Sequence, residues 1–237
     1  MSTRSTTVLT GEIWQTPPRR RSQIVRRVCE RLEATYGQPR LGNPKKPLDD
    51  LVYIILSNKT SPTTARRVYD AVKKRFKSWD AMLRARNSTV ESILKPAGLS
   101  KIKSAQLRGA LRSIARDFGR CSLNDLSKWP QAEAECYLTS LPGVSEKVAK
   151  CVMIYTLGAQ VLPVDGHVHR ISNRLGWTAR KRADQCHDEL ETLVPPARRY
   201  AFHVDCIAHG RKLCRPANPI CKNCCIQRYC RYNQCNG

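Results

Sequence analysis

Residues 211–230 read RKLCRPANPICKNCCIQRYC, and no other stretch restricts the fold as tightly. Cys214, Cys221, Cys224 and Cys230 are spaced C-x6-C-x2-C-x5-C. Pro216, Pro219 and the lack of apolar periodicity deny the segment a regular element of its own, so it must fold around whatever its thiolates bind. Six of the chain's twelve cysteines lie from Cys214 onward, and the others are scattered singly through apolar segments. That distribution fits a reduced interior with one metal site better than a disulfide framework. Four thiolates at these intervals suit zinc or a [4Fe–4S] cluster, and spacing alone does not choose between them. Cys225 could replace Cys224 in a shifted register and Cys235 is spare; both are taken as non-ligands.

The rest of the chain is strongly basic. Its 237 residues carry 42 Lys+Arg against 19 Asp+Glu, a formal net charge of +23. Each cation placed on a phosphate releases condensed counterions, so nucleic acid is the expected partner. With 41% hydrophobic residues the chain has material for a core, which excludes a disordered polycation. No run of 18 apolar residues occurs, and the first twenty residues lack the apolar stretch of a secretion signal. The expectation is a monomer without membrane contact, intracellular, cytoplasmic and associated with the nucleoid.

Along the chain, residues 1–21 read as a flexible basic arm ending in Arg19, Arg20 and Arg21. Ile24, Val25, Val28 and Leu32 recur at helical spacing over 22–36, and a linker rich in Pro and Gly follows. Helical periodicity then recurs over 48–58, 62–76, 79–85, 88–95, 101–118, 122–127, 131–139, 145–157, 166–175 and 181–193. No alternating strand pattern stands out, which predicts an all-α fold. In LPGVSEKVAKCV, Pro142 and Gly143 break one helix and a second starts near Ser145, a helix-hairpin-helix over about 139–157. A helix start displayed on a tight turn offers backbone N–H groups to a phosphate without reading base identity. Lys147 stands in the first turn of the second helix, and Asp165 precedes the helix of VDGHVHRISNRLG as an N-cap.

LPGVSEK, VDGHVHRISNRLG and the four C-terminal cysteines together resemble the helix-hairpin-helix DNA glycosylases of the endonuclease III type, over residues 22–231. The resemblance implies a bifunctional DNA glycosylase and abasic-site lyase acting on double-stranded DNA that contains damaged bases or abasic sites. It implies Lys147 as nucleophile and Asp165 as the carboxylate assisting glycosidic cleavage. It also implies a [4Fe–4S] cluster on Cys214, Cys221, Cys224 and Cys230. Lys59, Lys101, Leu141, Gly143, Ser145 and His167 make up the expected DNA-contacting set. Two departures from the family stand out. Ser145 replaces the hairpin's usual second glycine, and Lys59 stands where an uncharged Gln usually fills the hole left by a flipped base, with Lys101 at the other strand-probing position. A mismatch glycosylase without lyase activity is the competing reading, opposed by Ile54 where that branch carries a carboxylate and by Lys147 itself. A catalytically weak damage-binding protein is another, opposed by the presence of both Lys147 and Asp165. The implied architecture is two helical lobes flanking a DNA-binding cleft. Residues 48–160 form one, and 22–47 with 161–237 form the cluster lobe.

Overall fold

The computed structural model describes residues 9–236, the side chains through residue 234. Residues 1–8 of the expected arm and the side chain of Cys235 lie outside that range. The described residues form helices joined by turns and loops, with no strand among them. They divide into two compact units, residues 42–159 and residues up to 41 together with those from 160 onward.

The contiguous unit holds α2 (Pro47–Ser57), α3 (Pro62–Arg75), α4 (Trp79–Arg84), α5 (Asn87–Leu94), α6 (Ser100–Phe118), α7 (Gln131–Ser140) and α8 (Glu146–Thr156). α2 is its axis: all residues from Leu48 to Leu56 are buried except Asp49. A helix apolar on every side must be surrounded, and α3, α6 and α8 all pack on it. Proline opens both α2 and α3, where its missing N–H costs nothing. The segment expected as a helix over 122–127 is a 3-10 turn at Asn124–Lys128.

The second unit joins α1 (Pro18–Tyr36) to α9 (Gly166–Arg174), α10 (His187–Leu193), α11 (Arg199–Lys212) and α12 (Arg231–Asn236). α1 buries Val25, Val28, Cys29 and Leu32, one stripe at i, i+3, i+4 and i+7, and packs along α11. Each such side chain contributes roughly 1.5–3 kcal/mol by leaving water. Trp177 stacks on Phe202 at 5.4 Å in the same core.

Three sequence expectations need correction. α11 was not anticipated, because Phe202, His203, Val204, Asp205, Cys206, Ile207 and His209 are buried around its whole circumference and leave no amphipathic period to read. The helix expected over 181–193 is a 3-10 turn at Ala183–Gln185 followed by α10. Residues 10–21 are not a loose arm. Glu189, buried, accepts hydrogen bonds from Gly11 N at 3.2 Å, Trp14 Nε1 at 2.9 Å, Thr10 Oγ1 at 3.0 Å and Thr178 Oγ1 at 2.7 Å. Ile13 is buried, and Pro18 already begins α1. A buried carboxylate met by this many donors secures a segment whose apolar content looked too low to pack.

Candidate functional site

The hairpin is built by its turn. Gly143 has φ +78°, a left-handed conformation that suits glycine. A Cβ there would lie 2.5 Å from Gln106 Cγ, so the missing side chain also lets the turn seat on α6. Ser145 caps α8 by accepting from Val148 N at 3.4 Å, a job glycine could not do, so the departure at this position exchanges turn freedom for a cap. Leu141, expected to contact DNA, is a core residue: its side chain is buried, its N–H donates to Leu138 and its carbonyl accepts from Val144 at 3.1 Å.

Lys147 is partly buried in the first turn of α8. Its neighbour Glu146 lies 3.6 Å from Lys150 Nζ, and Glu135 on α7 lies 3.1 Å from the same ammonium. Lys150, buried, thus pairs with both carboxylates. Asp50 on α2 also feels the charge of Lys147.

Asp165 caps α9, its Oδ1 accepting from His167 N at 2.8 Å and Val168 N at 2.9 Å. The imidazole of His167 packs against Gly210 of α11, where any side chain would strike it, and its Nδ1 lies 3.2 Å from Arg170 Nη2. Burial, opposed by Asp165, lowers the pKa of His167 and keeps the ring neutral.

Two exposed loops of the contiguous unit are tied together by Lys103. This buried lysine donates to Leu56 O at 2.8 Å, Thr60 Oγ1 at 2.6 Å and Ala97 O at 2.9 Å, and burial lowers its pKa. Beside these anchors stand Lys59 at φ +53° and Leu99 at φ +50°, both exposed and both left-handed. Such backbone costs on the order of 1–3 kcal/mol and persists only where surrounding contacts enforce it. Leu99 is 53% exposed and Ile102 is 55% exposed, an apolar tip on either side of the exposed Lys101. The sequence reading missed Leu99. Its only sequence signal is an apolar residue directly after Gly98 at the start of a basic helix.

Cys214, Cys221, Cys224 and Cys230 line one small pocket together with Arg174 and His209. Cys225 is not among its lining residues; the Cys225 carbonyl instead accepts from Arg31 Nη1 at 3.3 Å. Arg174 fastens the loop through Arg215 O at 2.8 Å and Pro216 O at 3.0 Å, and also reaches Cys214 Sγ at 3.2 Å. Burial pushes the Cys224 thiol up to about 12 and raises that of Cys230, so only an electrophilic guest would make both thiolates at neutral pH. Burial also lowers His209 to about 4, leaving a neutral ring between Tyr36 Oη at 2.8 Å from Nδ1 and Cys224 Sγ at 3.5 Å from Nε2. The Tyr36 hydroxyl, held protonated by burial, donates to Nδ1, which leaves Nε2–H for the sulfur. Four sulfurs lining one pocket, with donors turned on two of them, are the donor set that an iron–sulfur cluster takes.

The model of the HhH-GPD superfamily of base excision DNA repair proteins matches residues 52–196. Endonuclease III of Thermotoga maritima is 25% identical over 84% of this chain and 89% of its own length. Endonuclease III of Synechocystis sp. is 29% identical over 78% and 80%. A solved endonuclease III in non-covalent complex with DNA shares the fold with a TM-score of 0.79 at 20% identity, covering 91% of this chain and 97% of that one. The family match takes in the hairpin, Lys147 and Asp165 and more than half of the residues, so the chain belongs to the HhH-GPD superfamily of base excision DNA repair proteins.

Proposed function

We propose that this chain removes damaged bases from double-stranded DNA and then cleaves the abasic strand, with Lys147 as nucleophile and Asp165 as the assisting carboxylate. The observation that carries the reading is Lys147 itself, presented in the first turn of a Ser145-capped helix behind the Gly143 turn, within the family match. The target base leaves the stack, and its N-glycosidic bond breaks as positive charge develops on the sugar. The carboxylate of Asp165 stabilises that charge. The Lys147 amine bonds to C1′ as the base departs with the glycosidic electron pair and takes up a proton. The C1′–O4′ bond then opens as O4′ takes up a proton and the nitrogen lone pair forms C1′=N, and this Schiff base acidifies the C2′ proton, whose loss expels the 3′ phosphate. An unperturbed ammonium with pKa near 10.4 makes the free amine cost roughly 4–5 kcal/mol at pH 7. The positive end of α8 and partial burial both disfavour the ammonium form.

In this reading the hairpin at Gly143 and Ser145 grips phosphate, His167 lies on the DNA side, and Lys59 fills the space of the flipped base. Leu99, rather than Lys101, probes the opposite strand, because an exposed apolar side chain on a rigid left-handed turn is suited to enter a base step. Cys214, Cys221, Cys224 and Cys230 hold the [4Fe–4S] cluster, which when bound supplies a rigid clamp for the loop. Around it Arg211, Lys212, Arg215, Lys222, Arg228 and Arg231 present a basic surface to phosphates. The enzyme acts wherever the cell keeps its DNA.

Borohydride trapping on abasic duplex tests the reading. Lys147→Gln is expected to abolish both trapping and strand cleavage while DNA binding persists through the many other cations. Trapping at the wild-type rate in that variant would assign the nucleophile elsewhere.

A further inference from the structure

The last residue of α1 and the end of α11 meet beside the cysteine loop. His209 on α11 is fully buried, and it reaches two of the four proposed cluster ligands. Its backbone carbonyl accepts from Leu213 N and Cys214 N, each at 2.9 Å. Its ring Nε2 lies 3.5 Å from Cys224 Sγ. On the other side of the ring, Tyr36 Oη lies 2.8 Å from Nδ1, and the two rings meet edge to face with centroids 5.7 Å apart. Tyr36 closes α1, and the turn behind it is pinned by Asp205, one helical turn before His209, whose Oδ1 accepts from Gln38 N at 3.0 Å. The fold therefore fixes the imidazole between a hydroxyl and a sulfur.

A neutral imidazole carries one N–H and one bare nitrogen, and a ring shut off from water must satisfy both within the protein. A cluster-bound Cys224 is a thiolate with no proton to offer, so Nε2 must be the donor. Nδ1 is then bare, and among the described residues the Tyr36 hydroxyl is the group placed to give it a hydrogen. We propose that Tyr36 and His209 are positioning residues for the cluster: the Tyr36 hydroxyl fixes the Nε2–H form of His209, whose hydrogen bond to Cys224 Sγ holds that ligand and raises the cluster's reduction potential. This rests on the reading of the four cysteines as cluster ligands. Reduction adds one electron, supplied by an electrode, to a group that already bears thiolate charge. A donor turned on the sulfur stabilises the more negative, reduced form, and no bond to hydrogen breaks. The backbone hydrogen bond from Cys214 to the same residue ties a second ligand to this ring's position. Phenylalanine would fill the place of Tyr36 but has no proton to give. Nothing in the sequence joins the two residues, which stand 173 positions apart.

The test uses the cluster-loaded full chain. Tyr36→Phe keeps the ring and should lower the reduction potential read by protein-film voltammetry. His209→Leu removes the donor and should lower it further, whereas His209→Gln, whose amide can offer an N–H to the same sulfur, should return it toward the wild-type value. The hold on Cys224 has its own readout, the rate at which a chelator strips iron, which should rise roughly tenfold or more in Tyr36→Phe. If His209→Leu fails to fold, Tyr36→Phe decides by itself. A potential that stays in place or rises in Tyr36→Phe overturns the proposal. So does an unchanged stripping rate in that variant, or a His209→Gln protein as low in potential as His209→Leu. Wild-type protein that carries zinc in place of iron overturns the cluster reading instead; the chelator rate in Tyr36→Phe, then measured for zinc, decides whether the pair holds Cys224.

Discussion

Asp165 and Asp50 show how differently one residue type is used. Asp165 accepts two backbone N–H groups at the start of α9, and Asn caps a helix about as well as Asp. Asp165→Asn should therefore remove the charge while leaving stability within about 0.5 kcal/mol by denaturant titration. Excision of a damaged base should fall by orders of magnitude, and cleavage of a pre-formed abasic site should suffer less, since only the first step develops a sugar cation. Asp50 makes a stability prediction. Its folded pKa of about 7 lies above the ordinary 3.8, so between those values the native chain holds a proton that the unfolded chain has lost. Stability must then fall as pH rises from about 4 to about 7, by on the order of 4 kcal/mol from this group. Urea titrations of Asp50→Leu across that window should show a correspondingly flatter profile; an unchanged slope would mean that Asp50 ionises normally.

Among the elements, the loop after α2 and the turn before α6 depend on one ammonium. Lys103 satisfies acceptors in both, and Thr60 Oγ1 adds a bond to Ala97 O at 2.7 Å. Lys103→Met fills similar space but strands those acceptors, which should cost about 1–3 kcal/mol. The loss should be local as well as global. Amide exchange should speed up over residues 57–60 and 97–101 more than in α8, and binding to duplex containing a base opposite an abasic site should weaken as Lys59 and Leu99 lose their fixed backbone. Uniform exchange changes across the unit would show that the lysine supports the fold generally and not these two loops.

For the whole molecule, the cysteine loop closes a unit made from both ends of the chain, with α1 packed along α11 and Tyr36 bonded through His209 toward Cys224. Cluster binding, as proposed above, would couple to the folding of that unit. Purified protein should be yellow-brown with about four irons per chain. Cys221→Ser should lose the colour and lower the melting temperature of this unit, whereas Cys225→Ser, outside the cavity, should retain both. Stoichiometric zinc without visible absorbance would overturn the cluster assignment.

The sequence alone determined the helical class, because periodic apolar stripes such as Val25, Val28, Cys29 and Leu32 are written in local spacing. It also determined the hairpin, since Pro142 and Gly143 act through their own backbone restrictions, and the cysteine motif, whose spacing survives without any knowledge of the fold. α11 escaped because burial on every side erases periodicity, and the packed residues 10–21 escaped because their partner Glu189 lies far along the chain. Only tertiary structure decided which of Asp49 and Asp50 faces the interior, which apolar residue stands exposed on a left-handed turn, and which cysteines line the cavity. Each of these depends on contacts between segments distant in sequence, and desolvation, which sets the chemistry of a buried acid, is a property of the packed interior that no single residue carries.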